Sequence, residues 1–173
     1  MTVKRKLVAI AAGVGAAPFV FALLPASTAY AHGYISSPPS RQAQCAQGTV
    51  ECGSIQWEPQ SVEGPKGLKS CSGGNSRFSE LDDDSKNWQS TSVGNTVDFT
   101  WSLTAMHATR DWQYFIGDDK IAEFDGHGNQ PPSTVTHSVD LNGYSGEEKL
   151  LAVWNIDDTA NAFYACVDLN ING

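Results

Sequence analysis

Two histidines stand where a metal ion could be held. His32 follows Ala29-Tyr30-Ala31, the small-x-small exit that signal peptidase accepts, so cleavage after Ala31 makes His32 a first residue with a free α-amine. That amine, with an unperturbed pKa near ~8, and the imidazole on the same residue form a chelating pair. His107 lies in Leu103-Thr104-Ala105-Met106-His107-Ala108-Thr109-Arg110, just past an alternating segment, in a loop at a sheet edge where sites are displayed. The other two histidines read differently. His127, between Gly126 and Gly128, reads as solvated, and His137 shares the apolar parity of Val135, Val139 and Leu141 and reads as a core residue.

The segment before His32 has the layout of a secretory signal: a basic start at Lys4-Arg5-Lys6, an apolar run from Leu7 to Leu24 broken by Gly13, Gly15 and Pro18, then the small-residue exit. Residues 1–31 are therefore assigned as a signal peptide and 32–173 as a single domain, secreted and extracellular. Residues 32–173 keep eight Lys and Arg against nineteen Asp and Glu, a net charge of −11. That charge disfavours nucleic acid and anionic membrane surfaces as partners, and suits a soluble monomer.

Cys45, Cys52, Cys71 and Cys166 make an even count in an oxidising compartment, so two disulfides are expected. Four cysteines allow three pairings. The short, turn-capable loop from Ala46 to Glu51 favours Cys45–Cys52 and leaves Cys71–Cys166 as a long-range staple; a zinc cluster is disfavoured because no C-x-x-C spacing occurs.

The elements that must position these residues fall into two parts. From Gly33 to about Asn75 the chain is rich in Pro, Gly, Ser and Gln with no sustained 3.6 period, which predicts disulfide-tied loops with short strands or turns. One or two helical turns are possible around Phe78 to Trp88, with Asp82-Asp83-Asp84 as a solvated bend. From Asn95 the period changes to two: Val97, Phe99, Trp101 and Leu103 alternate with Asp98, Thr100 and Ser102. Further strands are predicted at Asp111 to Ile116, Thr134 to Leu141, Lys149 to Ile156 and Asn161 to Ile171, with Gly117 to Pro132 as a polar loop. Repeated short strands with turn signals between them mean an all-β, antiparallel β-sandwich.

His32-Gly33-Tyr34, Trp57-Glu58-Pro59-Gln60-Ser61-Val62-Glu63-Gly64, Thr104-Ala105-Met106-His107 and Ala152-Val153-Trp154-Asn155-Ile156-Asp157-Asp158-Thr159-Ala160-Asn161-Ala162-Phe163-Tyr164 follow one another in that order. From His32 to the C-terminus this resembles the bacterial lytic polysaccharide monooxygenases of auxiliary activity family 10, the chitin-binding protein type. The resemblance implies a fibronectin III- or immunoglobulin-like sandwich with one copper ion in a brace formed by the His32 amine, the His32 ring and the His107 ring. Three nitrogens in a plane suit copper cycling between two charges and leave positions open for a co-substrate.

The resemblance also implies roles around that brace. Phe163 matches the apolar ring beside the copper axis, although by pattern alone its parity with Val167, Leu169 and Ile171 favours core. Ala105 matches a small residue limiting access, and Glu63 a carboxylate that tunes protonation near the metal. Trp57 matches the aromatic that stacks on a sugar face, with Glu58, Thr104, Asp158 and Asn161 as a polar rim. Trp112 and Trp154 read as core.

The implied activity is oxidative cleavage of crystalline chitin at C1, giving aldonic acid ends. An external electron donor would supply reductant, because no flavin or haem motif occurs, and oxygen or hydrogen peroxide would be the co-substrate. The sequence departs from the family at Met106, usually Arg, and in a shorter segment after Phe115-Ile116. Rival readings are a non-catalytic chitin-binding protein, the same activity on cellulose, and a copper carrier; nothing in the spacing of the acidic residues selects the carboxylate pair of a hydrolase.

Overall fold

The computed structural model describes residues 31–173, so the signal peptide assigned to residues 1–31 lies, apart from Ala31, outside the described residues. The described chain forms nine strands: β1 (His32–Ser37), β2 (Glu63–Pro65), β3 (Thr91–Val93), β4 (Thr96–Ala105), β5 (Thr109–Ile116), β6 (Asp119–Asn129), β7 (Thr134–Asp140), β8 (Gly146–Ile156) and β9 (Asn161–Ile171). One sheet has the order β1-β4-β7 and the other β2-β9-β8-β5-β6, with β3 added to β9; every pair is antiparallel except β3–β9. Among the described residues no helix is long and apolar enough to cross a membrane.

The alternation in β4 works as expected. Val97, Phe99, Trp101 and Leu103 are buried and meet the inward residues of β9, Phe163, Ala165, Val167, Leu169 and Ile171, in one core between the sheets. The opposite face of β9 is buried too: Ala162, Tyr164 and Cys166 pack under Cys45, Ile55, Val62, Cys71, Phe78 and Leu81 of the preceding loop region. Covered on both sides, β9 reads as a continuous apolar run rather than an alternating one. The loop region is fastened there by the disulfides Cys45–Cys52 and Cys71–Cys166, the pairing favoured by loop length.

His137 is buried, as its parity predicted. Trp101 donates to the Tyr114 hydroxyl at 3.1 Å and that hydroxyl lies 2.8 Å from His137 Nδ1, within hydrogen-bond reach; desolvation lowers the imidazole pKa to about 4. Trp112 and Trp154 are core residues with stacked rings. A 3-10 segment at Ser76–Asp82 supplies the turns anticipated near Phe78.

Two expectations are corrected. Gly117 to Pro132 is not a polar loop: it contains β6, an edge strand paired with β5, whose few apolar residues Ile121, Ala122 and Phe124 pack against the core while the rest of its side chains face solvent. The loop region also holds a helix, α1 (Arg41–Gln47), capped by Ser40 and ended by Gly48 at φ 72°. Beside Ala43 and Cys45, its buried residues are polar. Arg41 pairs with Asp168, Gln42 donates to the Tyr164 carbonyl, and Gln44 donates to the Gln89 carbonyl, leaving no hydrophobic period to read.

Candidate metal centre

The first residue of β1 and the loop after β4 are brought together by sheet pairing. His32 is the register partner of Ala105, the last residue of β4, which stands two residues before His107 in the chain. Gly33 makes the approach possible: a Cβ there would lie 2.5 Å from Leu103 Cδ2 and 3.2 Å from the Trp154 ring. The His32 ring then stands 6.1 Å from the Phe163 ring, and Phe163 is fully buried. Phe163 is thus a core residue that also neighbours the His32 ring.

The His107 loop is pinned from behind. Thr109 donates to the His107 carbonyl at 3.0 Å and accepts from Trp154 Nε1 at 2.8 Å. The amide of Asp157 donates to the Ala108 carbonyl at 2.8 Å, and Asp158 Oδ1 lies 2.7 Å from His107 Nε2. A metal taking Nε2 would replace Asp158 there, leaving a carboxylate beside the cation. The anchoring by Thr109 was not read from the sequence, because nothing in the residue pattern marks a buried hydroxyl.

Glu63 lies opposite Phe163 in the β2–β9 register, and its Oε1 accepts from Asn161 Nδ2 at 2.7 Å. This carboxylate is held in place beside the apolar wall. Ala105 and Thr104 end β4, Thr104 exposed. Trp57 closes the 3-10 turn Ser54–Trp57 with 81 % of its surface exposed, so it is not a core residue. Glu58 forms an ion pair with Arg77, a partner that was not anticipated. The following turn, Pro59–Ser61, packs against β1 and β4 and so ties this segment to the histidine strand.

The donor set fits copper. All four cysteines are in disulfides, so no thiolate is offered. Among the described residues no group of three or more His, Cys, Asp or Glu side chains could hold a metal. His32 and His107 come from the two segments that β1–β4 pairing joins, and the main-chain nitrogen of His32 is an amide with Ala31 attached and would be an amine after cleavage there. Intermediate nitrogen ligands without sulfur suit copper that must react rather than only pass electrons.

Comparison with known proteins points the same way. Residues 32–169 match the family described as "Lytic polysaccharide mono-oxygenase, cellulose-degrading". The chain is 59% identical to a lytic chitin monooxygenase of Streptomyces ambofaciens, over 95% of this chain and 96% of that one. It is 37% identical to a lytic chitin monooxygenase of Enterococcus faecalis, over 87% and 90%. The neutron structure of a Jonesia denitrificans lytic polysaccharide monooxygenase superposes with a TM-score of 0.79 at 49% identity, covering 82% of this chain and all of that one. The sandwich is therefore the fibronectin- or immunoglobulin-like one of that group, and the chain belongs to the lytic polysaccharide monooxygenases of auxiliary activity family 10.

Proposed function

We propose that residues 32–173 form a secreted, copper-dependent enzyme that cleaves crystalline chitin oxidatively, at C1, leaving aldonic acid ends. The observation that carries the reading is the convergence of His32 and His107 through the His32–Ala105 register pair, at a residue whose nitrogen cleavage after Ala31 would free. Chitin is preferred over cellulose because relatives matching over nearly their whole length are named for chitin, although the family description names cellulose.

Bound copper would supply one-electron chemistry with oxygen or peroxide, the electrons coming from an external donor. The chain's residues do the rest. His32 and His107 hold the ion, and the Phe163 ring keeps a strong ligand from one side. Asn161 orients Glu63 through Oε1, which leaves Oε2 to accept or return a proton beside the metal. Trp57 stacks on a sugar face, while Glu58, Thr104 and Asp158 offer polar partners to hydroxyl and acetamide groups.

Mass spectrometry of products released from chitin and from cellulose, with copper and ascorbate present, tests this. Aldonic acid oligomers from chitin are expected. Binding to chitin with no oxidised product would instead identify a non-catalytic binding protein, and copper affinity without affinity for either polysaccharide a copper carrier.

A further inference from the structure

Among the described residues, two large apolar side chains are exposed: Trp57, and Met106 at 36 %. Scattered apolar residues are ordinary on a protein surface. Trp57 ends the turn that precedes Pro59–Ser61, which packs against β1 and β4, and Met106 sits between Ala105, the partner of His32, and His107. Its main chain is held. The Met106 carbonyl accepts from Gln130 Nε2 at 3.3 Å, and the end of β6 that leads to Gln130 lies flush on β5, where a Cβ on Gly126 would meet the Thr109 carbonyl at 2.3 Å. A fixed backbone with a flexible, polarizable thioether is suited to an apolar contact on an uneven surface.

We propose that Met106 is a second apolar contact for the polysaccharide, and that hydrogen peroxide weakens this contact by oxidising the thioether. The proposal rests on the polysaccharide reading above. In the oxidation, the sulfur lone pair attacks one peroxide oxygen. The O–O bond breaks as the S–O bond forms, the proton of the attacked oxygen passes to the departing hydroxide, and water leaves. Sulfur loses two electrons and peroxide gains them. The product sulfoxide is polar and reversible by reduction, so an apolar contact becomes a hydrated one. Met106 is the single methionine of residues 32–173, so one oxidised thioether in that region has one address.

The test measures binding of copper-loaded protein beginning at His32 to solid chitin and cellulose. Met106→Ala should weaken chitin binding about three- to tenfold, the scale of one partly buried apolar side chain. Its melting temperature and copper affinity should match the parent, and Met106→Leu should restore binding. Metal-free parent protein exposed to dilute peroxide, cleared of oxidant and then loaded with copper should show one added oxygen on the Met106 peptide and the weaker binding of the Ala variant; Met106→Leu treated in the same way should keep its affinity. Full binding by Met106→Ala, while Trp57→Ala loses affinity, would overturn the assignment of Met106 alone. Full binding by parent protein carrying the sulfoxide would overturn the oxidation step. Failure of the untreated parent to bind either polysaccharide would overturn the polysaccharide reading, and this proposal with it.

Discussion

Asn161 holds Glu63: its Nδ2 donates to Oε1 at 2.7 Å across the β2–β9 pair, in which Glu63 lies opposite the fully buried Phe163. Removing the amide frees the carboxylate to rotate without touching either histidine. Asn161→Ala should therefore lower turnover about 10- to 100-fold, the worth of one hydrogen bond to a charged group, while copper affinity stays close to the parent value. Calorimetric copper titration beside a product assay separates the two quantities; an equal loss in both would show that Asn161 supports the metal itself.

Trp57→Ala should cost little stability, because the side chain is 81 % exposed. Chitin binding should weaken by about 1 to 3 kcal/mol, the scale of one lost aromatic contact. Thermal melting and a binding isotherm of this one variant decide it: a large fall in melting temperature with normal chitin affinity would move the binding surface elsewhere.

The two disulfides close loops of very different length, with sequence separations of 7 and 95 residues. In the chain-entropy picture, removing Cys71–Cys166 should cost on the order of 4 kcal/mol and removing Cys45–Cys52 under about 3 kcal/mol. Denaturant unfolding of the paired serine variants measures both, and a larger loss for the short loop would reject the entropic ordering.

His137 makes stability depend on acid. Its folded pKa is lowered to about 4 by burial, against 6.5 for an exposed histidine, so the unfolded chain takes up its proton first. The stability this neutral imidazole supports is complete above pH 6.5 and declines as pH falls toward 4, by roughly 3 kcal/mol in total. A His137→Leu variant should show a flatter stability profile over that window. An unchanged slope would place the acid sensitivity in other groups.

What was legible in the sequence follows from which forces leave a residue pattern. The alternation of β4 and the apolar run of β9 record a core, and the short Ala46–Glu51 loop records a disulfide. His32 was legible because Ala29-Tyr30-Ala31 before it have the small-x-small spacing of a signal-peptidase site. The helix α1 was not, because Arg41, Gln42 and Gln44 are buried through hydrogen bonds that have no period. Strand β6 was missed for a related reason: on this edge strand only Ile121, Ala122 and Phe124 pack against the core, too few among Gly and charged residues to mark a period. Thr109 looks like any threonine until its hydroxyl is seen bridging His107 and Trp154.

The central claim is that His32 contributes its main-chain nitrogen as well as its ring, and this can be tested without any substrate. Two proteins suffice, one beginning at His32 and one retaining Ala31, compared by calorimetric titration with copper. The account predicts tight one-to-one binding for the first and a large loss for the second, whose nitrogen is an amide that ligates poorly. Equal copper affinity in the two proteins would contradict it.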